Sequence, residues 1–164
     1  MGSGDRHRIL NYKNSVSVPR SHQISKLMPW EHFSHQADMG IRGSGVSKEE
    51  AFEQAGIALT AVVTDPQNVE PSICVSIARE DADDELLFVQ WIDALIYEMA
   101  TRKMLFSRLR VSFLGHSLVG EAWGEPVDVA KHQPAVEVKG ATYTALQVHQ
   151  ISGGDWIAQC VVDV

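Results

Sequence analysis

The stretch from Ser47 to Pro66, SKEEAFEQAGIALTAVVTDP, constrains the fold more than any other part of the chain. Ser47 followed three residues later by Glu50 is a capping box, in which each side chain serves backbone N–H groups left open at a helix start. Phe52, Ala55, Leu59, Val62 and Val63 then recur at three- and four-residue steps, the period of one helix face. Asp65-Pro66 supplies the stop. A helix this clearly bounded, with an apolar stripe, must bury that stripe against another element.

The rest of the chain supplies the partner surface. A second helix is expected over DADDELLFVQWIDALIYEMATRK, residues 81–103. Its acids lie at the start and Arg102 and Lys103 at the end, as the helix dipole favours. The acidic run Asp81, Asp83, Asp84 and Glu85 reads as a solvated helix entry. It is a poor metal site, because adjacent acids on a helix point in different directions. Alternating or β-rich stretches predict strands at Trp30–Phe33, Met39–Gly43, Val69–Ile77, Arg108–Phe113, Ser117–Trp123, 135–150 and Trp156–Val164. Turns are expected at Gly115-His116 and at Ser152–Asp155. The expected class is α+β, two helices packed on β-sheet. Gly40, Gly43 and Gly45 are assigned to turns or to close backbone packing.

The length, 164 residues, suits one domain with a proper core, and no apolar run approaches a membrane span. The N-terminus is polar and lacks the apolar segment of a secretory signal. With only Cys74 and Cys160, the chain fits a reducing compartment, and a cytoplasmic location is expected. Whether the two cysteines pair is left open. Residues 1–29 hold five basic residues and one acid, and read as a flexible arm or an expression remnant outside the domain at 30–164. The remainder holds nine basic against twenty acidic residues, a net of −11. Such a body is a poor direct RNA binder and a better partner for cations or for a basic protein surface.

No strong catalytic motif appears. GIRGSGVS has glycines but lacks the Lys-Ser/Thr ending of a phosphate loop, and neither GxSxG nor CxxC occurs. Two carboxylates stand out: Asp38, within an apolar run, and Asp163, after Val161-Val162. From spacing alone Asp163 reads as a wet residue near the chain end. His35 could be a ligand or an acid–base group, although a lone histidine is more often structural.

Six motifs in order give the chain its resemblance. They are His35-Gln36-Ala37-Asp38-Met39-Gly40, Glu50-Ala51-Phe52, Met104-Leu105-Phe106-Ser107, Gly124-Glu125-Pro126-Val127-Asp128, Val138-Lys139-Gly140-Ala141-Thr142-Tyr143 and Asp163-Val164. From Trp30 to Val164 the chain resembles the archeases. The family usually has threonine where Gln36 stands.

The resemblance implies an archease-like α+β fold and a divalent-cation site. Calcium is the typical ion, with magnesium or manganese as alternatives. The ligands it implies are Asp38, Asp163 and the backbone and terminal carboxylate of Val164, with His35 in support. Carboxylate and carbonyl oxygens are hard ligands that suit such ions. It also implies a function: an accessory protein, not itself an enzyme, for the GTP-dependent tRNA-splicing RNA ligase. Such a factor promotes ligase guanylylation and multiple turnover, meets RNA only indirectly, and uses Lys139 in activation. The rival readings are a general chaperone-like protein-binding module and a small metal-dependent hydrolase using Asp38 and His35.

Overall fold

The computed structural model describes residues 28–164, so all but the last two residues of the basic arm lie outside it. The chain order is β1 (Trp30–His35), β2 (Asp38–Gly45), α1 (Lys48–Val63), a 3-10 turn (Pro66–Asn68), β3 (Ile73–Glu80), α2 (Asp84–Arg102), β4 (Met104–Leu114) and β5 (Ser117–Pro126). It continues with a short α3 (Val129–His132), β6 (Gly140–Ala141), β7 (Gln147–Gln150) and β8 (Trp156–Asp163).

Local chemistry explains both long helices. The Ser47 hydroxyl accepts the Glu50 N–H at 3.1 Å, and the Glu50 carboxylate reaches back to the Val46 N–H at 2.9 Å. Each satisfies a donor the helix cannot. The acidic run ahead of α2 is indeed a helix entry. Asp83 accepts the Glu85 and Leu86 N–H groups, and Asp81 accepts the Asp83 N–H. None of the described helices is long and apolar enough to cross a membrane.

The strands form two antiparallel sheets rather than one. The first has the order β1-β2-β8-β6, with β7 also on β8; the second has the order β3-β5-β4. Helix α1 packs on β2 and β8 of the first sheet and on β4 of the second. The junction is aromatic: the Phe52 ring lies edge-on to Phe88 and to Phe113, both at 5.1 Å. At Gly43 the sheet and helix touch by backbone. A Cβ there would lie 2.1 Å from the Ala51 carbonyl oxygen and 2.2 Å from the Ala55 nitrogen, so no side chain fits.

The α+β class holds, with three changes of detail. The strand expected at Val69–Ile77 runs instead over Ile73–Glu80. Pro66 and Pro71 each lack an N–H, and Asp65 caps a 3-10 turn through the Gln67 N–H. The continuous extended segment expected at 135–150 is two short strands, β6 and β7, sharing one edge of β8. Between them Thr142 turns the chain, its N–H and hydroxyl both donating to the Val161 carbonyl. The third helix, α3, was not expected. It is one turn long and capped by Asp128, which accepts the Ala130 and Lys131 N–H groups.

Candidate functional site

The β1–β2 hairpin turns on two residues, Gln36 and Ala37, and pairs His35 with Asp38. Gln36 takes a left-handed backbone, φ 52°, at the exposed tip. Strand β2 pairs with β8 through Met39–Val162 and Gly40–Val161. Continuing that register by one residue sets Asp38 beside Asp163. On the far side of β8, Asp163 pairs with Gly140 of β6. His35, Asp38, Asp163 and Gly140 therefore form one row across four strands, and residues directly opposed in a sheet face the same way. Ile41 and Gly43 face α1, so Asp38, two positions along the alternation from Gly40, faces away from it.

Among the described residues neither Asp38 nor Asp163 has a hydrogen-bond or ion-pair partner for its carboxylate. Asp163 is exposed, and Asp38 and His35 are half-buried. Val164 packs its side chain on the core, which anchors the strand end. Lys139 is exposed, and its backbone N–H donates to the Asp163 carbonyl at 2.8 Å. The structure thus brings together Asp38, Asp163, Val164, His35 and Lys139, although 125 residues separate the two aspartates. Among the described residues no group of three or more His, Cys, Asp or Glu side chains is gathered tightly enough to hold an ion. The oxygens that the register does set together are those of two carboxylates, neither with an ion-pair partner among the described residues. Carboxylate oxygens suit a hard divalent ion.

Two cavities lie apart from the row. An apolar cavity of about 160 Å³ lies between Val63, Ile96, Met99, Val127, Val136 and Val138. A second, about 360 Å³, is lined by Trp30, Ile57, Asp65 and Ser107. Neither takes in Asp38 or Asp163.

Other candidate groups have structural work. Both cysteines are free; Cys74 is exposed and Cys160 buried. Burial pushes the Cys160 thiol up to about 12, so it stays protonated. The His132 side chain is fully buried, with Nδ1 accepting the Asp128 N–H at 2.9 Å and Nε2 2.7 Å from a Glu125 carboxylate oxygen. That assignment makes Nε2 the protonated nitrogen. Lys131 Nζ donates to the same oxygen at 2.7 Å. The motif Gly124–Asp128 is therefore a brace for α3. Sequence reading did not see it, although Asp128 with Lys131 and His132 at three- and four-residue steps was a signal for a capped turn.

This brace carries a pH dependence. The Lys131 ammonium, and with it His132, holds the Glu125 carboxyl below the ordinary glutamate range. A depressed folded-state pKa lends stability that is complete above the ordinary range and is lost as pH falls through the lowered value. Chemical denaturation should therefore show Glu125→Gln less stable than the parent at neutral pH. The gap should shrink in strong acid; a gap that persists there refutes the brace's dependence on the carboxylate.

Comparisons with known proteins place the fold in a family. Residues 30–164 match the model of the Archease protein family. The chain belongs to the archease family. The archease of Thermococcus gammatolerans is 36% identical over 139 residues, covering 82% of this chain and 98% of that one. The solution structure of Methanobacterium thermoautotrophicum protein 1598 superposes with a TM-score of 0.69 at 26% identity, over 83% of this chain and 99% of that one. The Thermotoga maritima archease, described as a possible chaperone, matches with a TM-score of 0.55 and 20% identity over 82% and 96%, which shows the fold. On this archease fold the six motifs divide. Glu50–Phe52, Met104–Ser107 and Gly124–Asp128 serve the helix start, the core and the α3 brace. His35–Gly40, Val138–Tyr143 and Asp163-Val164 meet at one end of the first sheet.

Proposed function

We propose that the protein is a metal-binding accessory factor that activates the GTP-dependent tRNA-splicing RNA ligase, promoting its guanylylation and repeated turnover. The observation that carries this reading is the meeting of three distant motifs at one sheet end, where among the described residues two carboxylates lack partners. Asp38, Asp163 and a main-chain oxygen of Val164 would hold the cation, calcium first, with His35 in support. When bound, the ion supplies positive charge that relieves the repulsion between the two acids. The chain's own residues shape a docking surface around it, and Lys139 projects from the adjoining strand toward solvent. The exposed position of this end suits contact with another protein better than enclosure of a small substrate. The acidic balance of residues 30–164 favours a protein partner, with RNA met only through it. Cytoplasmic location fits that partner and the two free thiols.

A reconstituted ligation assay tests the reading. Sub-stoichiometric protein should raise both guanylylation and product yield. Lys139→Ala should fold as the parent does, since exposed substitutions usually lie within about ±0.5 kcal/mol, and should lose most of the activation. No change in ligase turnover on adding the parent protein would sink the proposal. The rival takes its support from the description of the Thermotoga relative: a chaperone-like module would protect unrelated aggregating clients as well as it serves the ligase. The hydrolase reading is the weakest, because the row lies in neither hollow and His35 is its one acid–base candidate.

A further inference from the structure

Strand β6 carries Lys139 at its entry, yet its backbone does not follow a regular ladder. In an antiparallel pair every second residue donates to the same neighbour. Here the Lys139 N–H donates to the Asp163 carbonyl at 2.8 Å and the Thr142 N–H to the Val161 carbonyl at 2.9 Å, a spacing of three. Between them the Ala141 N–H turns away from β8. It is accepted at 2.8 Å by Oδ1 of Asp93, which comes from the middle of α2. The same oxygen lies 3.7 Å from where a Cβ on Gly140 would be, so it sits directly against the segment. It is also near β8 itself, since its charge adds to burial in raising the Cys160 thiol. Asp93 is exposed on an otherwise apolar stretch of helix, and among the described residues it has no cation partner. Its carboxylate is committed to one backbone N–H, a charge-assisted bond of the stronger kind.

We infer that Asp93 is a positioning residue, tying the kinked Lys139–Thr142 segment to α2 and so fixing Lys139 beside Asp163 for contact with the partner. The inference deepens the functional reading above and rests on it for the role of Lys139. Without Asp93 the Ala141 N–H has no partner in the sheet, and only β8 supplies backbone hydrogen bonds to the segment. The Lys139 N–H and the Asp163 carbonyl it grips should then open together.

Two variants separate the acceptor from the charge. Asp93→Asn keeps an acceptor oxygen and removes the charge, whereas Asp93→Ala removes both. Amide hydrogen exchange, thermal melting, calcium titration and ligase activation are measured on each in the full chain. In Asp93→Ala, exchange at Ala141 and Lys139 should quicken by roughly fivefold, the size of one lost hydrogen bond. Protection in α1 and β5 should stay as in the parent. Activation should fall toward that of Lys139→Ala, and Asp93→Asn should retain most of both exchange protection and activation. Parental exchange at Lys139 in Asp93→Ala overturns the inference, and so does full activation despite quickened exchange. If Asp93→Asn fails along with Asp93→Ala in calcium titration, the charge matters rather than the acceptor, and the positioning role is wrong. A parent that neither takes up calcium nor stimulates the ligase defeats the functional reading instead, and the exchange data still decide whether Asp93 holds the segment.

Discussion

Adding calcium at a hundred times its dissociation constant should stabilise the parent protein by about 2.7 kcal/mol and leave Asp38→Ala and Asp163→Ala unmoved. The expectation follows from the row across β1, β2, β8 and β6. Asp38 and Asp163 stand beside each other on neighbouring strands, and among the described residues neither has a partner for its charge. Like charges directly opposed in a sheet destabilise it. Removing either acid should thus be neutral or mildly favourable without metal, because the repulsion disappears with it. With metal the order reverses. The parent gains the binding energy by mass action, while each variant has lost an oxygen ligand and a negative charge. Melting curves with and without calcium, joined to isothermal titration, check both halves of the crossover. Tight calcium binding by Asp163→Ala means that the two aspartates do not share a site. Loss of fold in either variant without metal means that the row is structural.

Trp91→Ala should cost about 3–5 kcal/mol, the range for emptying a buried aromatic site. Trp91 is fully buried on α2. Its indole N–H donates to the Phe52 carbonyl of α1 at 3.0 Å. Its ring fills the space over Gly120 of β5, where a Cβ would lie 2.3 Å from Cζ3. One side chain therefore joins both long helices to the second sheet, and no neighbour can close the gap without moving an element. Against a usual total stability of about 5–15 kcal/mol, the loss is a large fraction. Trp91→Phe keeps most of the bulk and gives up the hydrogen bond, so it should cost less. Gly120→Ala forces the opposite error, pressing a methyl group into the ring, and about 1–3 kcal/mol is expected. Equilibrium urea unfolding ranks the three. A loss below about 1 kcal/mol for Trp91→Ala shows that the site collapses and that the ring is not the joint described.

Much of the fold could be read along the chain because its causes are local. The Ser47–Glu50 cap, the Asp83 cap and the β4–β5 turn at Gly115 are set by side chains within a few residues of the backbone they serve. Alternation marked β4 for the same reason: the period of a strand with one buried face is written in consecutive residues. Where a partner lies far away in sequence, periodicity falls short. The stretch 135–150 has strand composition throughout, but β8 has one free edge for it, and Thr142 folds the chain there through the distant Val161 carbonyl. Helix α3 depends on a buried contact from His132 to Glu125. The carboxylate row has the same character. Spacing alone left Asp163 a wet residue at a strand end, and the resemblance to the archeases pointed to its pairing with Asp38. The register of β2 on β8 sets the two acids side by side, and the odd spacing of β6 on β8 gives Asp93 its task. Residue types and short-range order chose the elements and the chemistry available. Which carboxylates face each other, and which backbone groups a helix must hold, depended on hydrogen bonds between segments that meet only after the chain has folded.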